Sequence, residues 1–215
     1  MIEMILFDMD GTLWNTINTT TKAAFIISEK YDDVNEITKE IVTKSMGLGF
    51  SDVAEKYMPY LEKNRREKVL REIMDKNLEI IKEEGADTYP FVSEVIKELS
   101  KTYKLGIITN NFTEYAKTFV DKASLNDYFI DYVGASSLNM TKADAIKYIM
   151  KKHNISKAVY VGDTKGDKDA SEEANVMFIH AKYGIDKDLE TLYYINNFSD
   201  LINLVNKINK LNLEY

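Results

Sequence analysis

The feature that most constrains the fold is a series of short, continuous apolar runs, each of which stops abruptly at polar residues. Three of these runs, residues 4–7, 105–108 and 158–161, lead into Asp8, Thr109 and, one residue further on, Asp163. A continuous apolar run of this length is typical of a strand that is buried on both faces. Residues 128–133 and 175–179 extend the set to five predicted strands.

Stretches with helical periodicity separate these strands. Residues 91–100 and residues 141–153 both place apolar side chains at the spacing that puts them on one face of a helix. Strands that alternate with helices predict an α/β fold with a doubly wound parallel sheet.

Residues 16–89 interrupt this alternation. We predict helices over residues 16–31, 36–45, 51–57 and 61–84 and no strand in the interval. Gly85 is a plausible C-cap, and Pro90 ends the region. The sequence therefore predicts a catalytic core formed by residues 1–15 and 90–215, and a small all-helical cap domain formed by residues 16–89.

Composition excludes several classes of protein. The formal net charge of −7 argues against a nucleic-acid-binding protein. The chain has no cysteine, so disulfides, thiolate metal sites and cysteine nucleophiles are excluded. The first residues have no basic segment, and no apolar run is long enough to cross a bilayer. We expect a cytoplasmic protein, a monomer or homodimer, without a membrane partner.

Polar residues at the ends of three predicted strands are the candidate functional groups. They are Asp8 and Asp10, Thr109 and Asn110, and Asp163 and Asp167. Ligands of open α/β sheets bind beyond the carboxyl ends of the strands, where these groups converge if the strands are neighbours. Taken singly, each signal has an ordinary structural explanation: Asp-x-Asp-Gly is common in turns, Thr109 and Asp167 suit N-caps, and a lysine at a helix start such as Lys142 is usually solvated. Their occurrence together favours a site.

Four segments of the chain resemble the motifs of the haloacid dehalogenase (HAD) superfamily. They are residues 7–13 (FDMDGTL), residues 107–110 (IITN), Lys142 and residues 161–167 (VGDTKGD). The helical insert resembles the cap of the subfamily that includes phosphoglycolate phosphatase. The chain differs from the usual pattern at Asn15, where relatives have Asp, and at Ala143, where they have Pro after the lysine. The resemblance implies a Rossmann-like core.

The resemblance also implies a mechanism. Asp8 is the nucleophile that forms an aspartyl-phosphate, Asp10 is the general acid and base, and Lys142 stabilises charge between the nucleophile and the phosphate. Thr109 and the Asn110 amide hold phosphate oxygens.

The number of negative charges at the candidate site supports a bound metal ion. Four carboxylates and a phosphate dianion sum to −6, and Mg²⁺ with Lys142 brings the total to −3. By resemblance, the ligands are the side chains of Asp8 and Asp163, the carbonyl of Asp10, and Asp167 either directly or through water.

The substrate is expected to be a small phosphorylated metabolite. Phosphoglycolate is one candidate, and a nucleotide or sugar phosphate is another. By analogy with related caps, the loop that contains Gly47 and Gly49 is the candidate segment for reaching the substrate. A phosphomutase of the same superfamily shares the core residues and remains an alternative. A non-enzymatic receiver module phosphorylated on aspartate is disfavoured, because its acceptor lies in mid-domain and it has no room for a long insert.

Overall fold

The structure is a computed structural model that describes residues 1–211. Its strands are β1 (Met4–Phe7), β2 (Trp14–Asn15), β3 (Asp87–Thr88), β4 (Lys104–Thr109), β5 (Asp131–Gly134), β6 (Ala158–Gly162), β7 (Met177–Ala181) and β8 (Tyr194–Ile195). Its helices are α1 (Ile17–Ser28), α2 (Lys39–Thr43), α3 (Phe50–Tyr57), α4 (Lys63–Glu84), α5 (Val92–Leu99), α6 (Thr113–Lys122), α7 (Ala135–Leu138), α8 (Lys142–Lys152), α9 (Lys165–Glu173) and α10 (Leu201–Leu211).

Six strands form one parallel sheet in the order β5-β4-β1-β6-β7-β8. Strand β1 lies in its interior, and all four of its residues are fully buried. Phe7 at the end of β1 is in register with Ile107 of β4 on one side and Val161 of β6 on the other. The predicted α/β class with a parallel sheet is confirmed, and the carboxyl ends of β4, β1 and β6 are adjacent.

The chain divides into two compact units. One comprises Met1–Trp14 together with the chain from Thr88 onward, and the other is Asn15–Asp87. Helices α1, α3 and α4 of the second unit contribute most of its own apolar core, which includes Ala24, Ile27 and Ile73. The sequence predicts boundaries after residues 15 and 89. The structure places them after residues 14 and 87, which is one and two residues earlier.

Several elements differ from the sequence prediction. The expectation of no strand within residues 16–89 is wrong, because β3 occupies Asp87–Thr88 and pairs with β2. Helix α2 begins later than predicted, because the Thr38 side chain accepts a hydrogen bond from the Ile41 N–H and caps the helix there, and it also ends earlier, at Thr43. Strand β7 begins after Asn175, which has a left-handed φ of 56° that a strand cannot accommodate. The two-residue strand β8 was not predicted.

Candidate active site

Asp8 directly follows strand β1 and lies at the carboxyl edge of the sheet. The ladder continues for one more residue, since the Asp8 N–H donates to the Val161 carbonyl at 2.8 Å, and only 5% of Asp8 is exposed. The chain then turns sharply, with Gly11 at a φ of 93°. A Cβ at Gly11 would lie 2.1 Å from an oxygen of Asp163, so the turn needs glycine both for its conformation and for this close approach.

Three carboxylates converge at this edge. Oxygens of Asp8, Asp163 and Asp167 all lie within 4.8 Å of one another, and all three side chains are buried. The convergence follows from strand order, because β6, which leads into Asp163 and then into α9, is the direct neighbour of β1. The structure therefore brings together three of the four acidic residues that the sequence selected; the fourth, Asp10, is half-buried two residues beyond Asp8.

Lys142 lies inside this acidic cluster. It is the first residue of α8, and its Nζ is 2.7 Å from Asp8 Oδ1 and 2.6 Å from Asp167 Oδ1. Only 8% of the residue is exposed, so the interpretation of Lys142 as a solvated lysine is wrong. Burial acts to lower the pKa of Lys142, but the Asp167 and Asp8 carboxylates outweigh it and hold this pKa well above its ordinary value.

The cluster carries more negative charge than Lys142 can neutralise. Burial, followed by the charge of Asp167, raises the pKa of Asp8 to about 7, although Lys142 acts in the opposite direction. Burial and the charges of Asp167 and Asp8 also raise the pKa of Asp163 well above its usual range. Buried carboxylate oxygens at this density are the donors that Mg²⁺ prefers, so the residues present fit a divalent cation.

Both carboxylate oxygens of Asp167 already accept hydrogen bonds from other groups of the protein. Its Oδ2 accepts hydrogen bonds from the N–H and hydroxyl of Thr164, at 3.0 and 2.6 Å, and from the Asp163 N–H at 3.2 Å. Thr164 is the N-cap of α9, and Asp167 completes a capping box with it. Asp167 is thus not the N-cap itself. Because its Oδ1 pairs with Lys142, Asp167 ties the loop after β6 to the lysine.

Asp163 is held by two groups to which the sequence reading gave no role. Its Oδ1 accepts a hydrogen bond from the Thr12 hydroxyl at 3.2 Å, and its Oδ2 accepts one from the Ile185 N–H at 2.7 Å. A Cβ at Gly184 would lie 2.3 Å from the Asp163 Cβ, so the loop after β7 packs its backbone directly on this side chain. The one sequence signal for this loop is a glycine shortly after a predicted strand.

Thr109 and Asn110 lie at the end of β4, next to β1. Thr109 is buried, and its Oγ1 accepts a hydrogen bond from the Asn111 N–H at 3.1 Å. The N-cap of α6 is Phe112, so Thr109 does not cap that helix. The Asn110 carbonyl accepts a hydrogen bond from the Ser136 hydroxyl at 2.5 Å, which fixes the backbone of this turn.

Gly47 and Gly49 belong to the second unit. Gly47 has a φ of 80°, and Gly49 is the N-cap of α3 with an ordinary φ of −69°. Their role at the substrate stays a prediction. Asn15, where relatives have Asp, accepts a hydrogen bond from the Ile17 N–H at the start of α1.

Asp10 is hydrogen-bonded to Tyr115 and forms a backbone bridge with Trp14. The Tyr115 hydroxyl donates to Asp10 Oδ1 at 2.7 Å. Trp14 is 1% exposed and packs edge-on against the rings of Tyr115 and Phe119, each with a centroid distance of 5.1 Å. The sequence reading missed Tyr115, because nothing in the pattern of α6 distinguishes it from a core aromatic residue.

The two histidines lie outside the cluster of carboxylates. His153 Nε2 is 2.8 Å from Asp131, and the fully buried His180 stacks on Phe178 in β7.

Within residues 1–211, no helix has both the length and the apolar character that spanning a membrane requires.

Comparison with known proteins adds independent information. The chain matches the sequence profile of the haloacid dehalogenase-like hydrolases over residues 5–181. It is 26% identical over 194 residues to a phosphoglycolate phosphatase of Vibrio vulnificus (strain CMCP6), with 85% of each chain covered. It is also 26% identical over 212 residues to a phosphoglycolate phosphatase of Aquifex aeolicus, covering 94% of this chain and 96% of the relative. A haloacid dehalogenase-like family hydrolase from Streptococcus pneumoniae shares the fold, with a TM-score of 0.80 and 22% identity over 94% of this chain and 97% of that one.

Proposed function

Since this chain belongs to the haloacid dehalogenase-like hydrolases and is a phosphatase, we propose that it hydrolyses a small phosphorylated metabolite through a phosphoryl group held on Asp8. The observation that carries this proposal is the buried ion pair between Asp8 and Lys142 at the carboxyl edge of a parallel sheet. A carboxylate that is buried and held by a single ammonium group is oriented for attack and shielded from water.

The reaction has two steps. In the first, an Asp8 carboxylate oxygen attacks phosphorus, the bond from phosphorus to the ester oxygen breaks, and Asp10 donates a proton to the departing alkoxide. In the second, Asp10 takes a proton from a water molecule that attacks the phosphorus, which releases inorganic phosphate and restores Asp8. Lys142 neutralises part of the charge on the transferring phosphoryl group, since its ammonium already lies against Asp8.

We propose that the acidic cluster binds Mg²⁺. The side chains of Asp8 and Asp163 and the carbonyl of Asp10 would hold it, with Asp167 contributing directly or through water. The capping-box hydrogen bonds of Asp167 and its pair with Lys142 favour the water-mediated form, because a direct bond would compete with these contacts. When bound, the ion supplies positive charge that stabilises the phosphoryl oxygens in the transition state.

Phosphate contacts are assigned to the hydroxyl of Thr109, the last residue of β4 next to β1, and to the amide of Asn110, which follows it. We propose that the second unit, Asn15–Asp87, acts as a cap that selects the substrate through the loop containing Gly47 and Gly49. Phosphoglycolate is the first substrate to test, because the relatives in Vibrio vulnificus and Aquifex aeolicus are phosphoglycolate phosphatases.

The experiment is a phosphate-release screen of purified protein with Mg²⁺ against phosphoglycolate, sugar phosphates and nucleoside monophosphates. Asp8→Asn keeps the shape of the side chain but removes the attacking charge, so we expect no turnover with any ester. Asp127→Asn, an isosteric change at an exposed aspartate, is the matched control and should retain full activity. Substantial turnover by Asp8→Asn would exclude the covalent mechanism. Interconversion of sugar phosphates without release of phosphate would instead favour a phosphomutase.

A further inference from the structure

We propose that Tyr115 is a positioning residue for the acid–base step: its hydroxyl fixes the orientation of the Asp10 carboxyl group that exchanges protons with the leaving group and with water. This inference rests on the proposed function, in which Asp10 is the general acid and base. In this assignment Tyr115 acts on the reaction through Asp10, to which its hydroxyl donates.

The hydrogen bond is short and supported on the tyrosine side by burial. The Tyr115 hydroxyl donates to Asp10 Oδ1 at 2.7 Å across 105 residues of sequence, and Tyr115 is only 3% exposed. Hydrogen bonds from a hydroxyl group to an ionised carboxylate, the form that Asp10 takes after it has given up its proton, are among the stronger ones in proteins. Asp10 itself is half-buried.

Asp10 needs such a partner because of its own torsional freedom. The terminal torsion of an aspartate joins an sp³ to an sp² carbon, and its energy profile is broad and nearly two-fold rather than confined to staggered wells. A carboxyl group without a fixed partner therefore presents its proton over a wide range of directions. Because Oδ1 accepts a hydrogen bond from Tyr115, the plane of the Asp10 carboxyl group is restricted, and so are the directions in which the group exchanges a proton.

One residue, Trp14, contacts both ends of this hydrogen bond, through its ring on one side and its backbone on the other. Trp14 packs edge-on against Tyr115, with ring centroids 5.1 Å apart at an angle of 67°. Trp14 also closes the turn that contains Asp10, since its carbonyl accepts a hydrogen bond from the Gly11 N–H at 2.9 Å and its backbone forms a β-bridge with Asp10. Trp14 is 1% exposed, so the tyrosine ring and the Asp10 turn contact the same buried residue.

The test uses leaving groups that differ in their need for a proton. The value of kcat/KM reports all steps up to phosphorylation of Asp8. A 4-nitrophenolate leaves readily without protonation, whereas an alkoxide requires the general acid. Tyr115→Phe should therefore lower kcat/KM for an alkyl phosphate by about 10-fold or more, within the range of acid–base contributions, and leave kcat/KM for 4-nitrophenyl phosphate within about two-fold. A merely structural role would lower both values alike.

Two further variants sharpen the test. Tyr103→Phe removes a buried tyrosine hydroxyl that is hydrogen-bonded to Asn209 at 2.9 Å, at the opposite end of β4. It should leave kcat/KM unchanged for both esters. In an Asp10→Asn background, Tyr115→Phe should cause no further loss with the alkyl phosphate, because the group it orients no longer transfers a proton.

Each remaining outcome is decisive. Equal losses with both esters, an unchanged alkyl phosphate rate, or independent losses in the double variant would each overturn the positioning role. Failure of the proposed function has a different signature, namely no phosphate release by the unmodified protein from either ester, or undiminished release by Asp8→Asn.

Discussion

Replacing Lys142 with methionine tests the stability of the buried charge cluster. Methionine keeps an unbranched apolar stem but removes the ammonium that lies 2.7 Å from Asp8 and 2.6 Å from Asp167. Removing one partner of a buried ion pair typically costs about 3–5 kcal/mol, because the other charge is left uncompensated. For chains of 150–250 residues, about 1 kcal/mol corresponds to roughly 2–4 °C in Tm, so we expect Tm to fall by about 6–20 °C.

Thermal unfolding followed by circular dichroism in EDTA measures this change without interference from a bound cation. Lys165→Met is the matched control, since Lys165 is also in the first turn of a helix but its side chain is 70% exposed and pairs with the exposed Asp169. Its Tm should hardly change. Adding Asp8→Asn to Lys142→Met should recover part of the lost stability, because it removes one of the three buried carboxylates that the missing ammonium leaves unpaired.

The kinetic consequence separates the two lysines as well. Lys142→Met should lower kcat/KM by roughly 10²-fold or more, the scale on which one removed electrostatic donor acts. Lys142→Arg should not restore full activity, because a planar guanidinium cannot replace a compact ammonium between two carboxylates. If Lys142→Met kept its Tm and activity while Lys165→Met lost both, the assignment of the site lysine would be refuted.

The remaining predictions concern the metal and two glycines. Activity should vanish in EDTA and return with Mg²⁺ but poorly with Ca²⁺, whose larger coordination sphere misplaces the attack; full activity after exhaustive chelation would exclude the metal. Gly184→Ala should raise the Mg²⁺ concentration needed for half-maximal activity, because its Cβ would push on Asp163. Gly85→Ala places a Cβ where nothing lies within 4 Å but at a φ of 80° that strains alanine, so it should lower Tm without changing that Mg²⁺ concentration; equal effects on it would contradict the reasoning. Gly49→Leu, at an ordinary φ of −69°, should change KM and substrate preference more than Mg²⁺ affinity. The reverse result would remove this loop from the substrate.

Local pattern was sufficient for the class of fold. Continuous apolar runs such as residues 4–7 predict buried strands because no other short element hides both faces, and β1 is fully buried as expected. The predicted element boundaries were wrong where a local interaction outweighed the hydrophobic periodicity. The Thr38 side chain caps α2, so the helix begins after Thr38, and the left-handed conformation of Asn175 keeps that residue out of β7. Two-residue strands such as β3 and β8 are too short to produce any periodic signal.

The acidic residues of the candidate site were also readable from sequence. Asp8 and Asp163 follow apolar runs directly or within one residue, so their place at a strand end depends on local structure alone. Lys142 was a weaker inference, because a lysine at a helix start is usually solvated. What settles its environment is that α8 begins beside Asp8, 134 residues away in sequence, where Lys142 becomes buried.

Contacts over such distances are what only the tertiary structure decided. Thr12 reaches Asp163 across 151 residues, Tyr115 reaches Asp10 across 105, and the Ile185 N–H supports Asp163 from the loop after β7. Each contact exists because the sheet places β4 and β6 on either side of β1, and β7 beside β6. Hydrophobic periodicity records whether a strand is buried but not which strand is its neighbour, so the sequence determined the acidic residues of the site, and the strand order determined the groups that hold them.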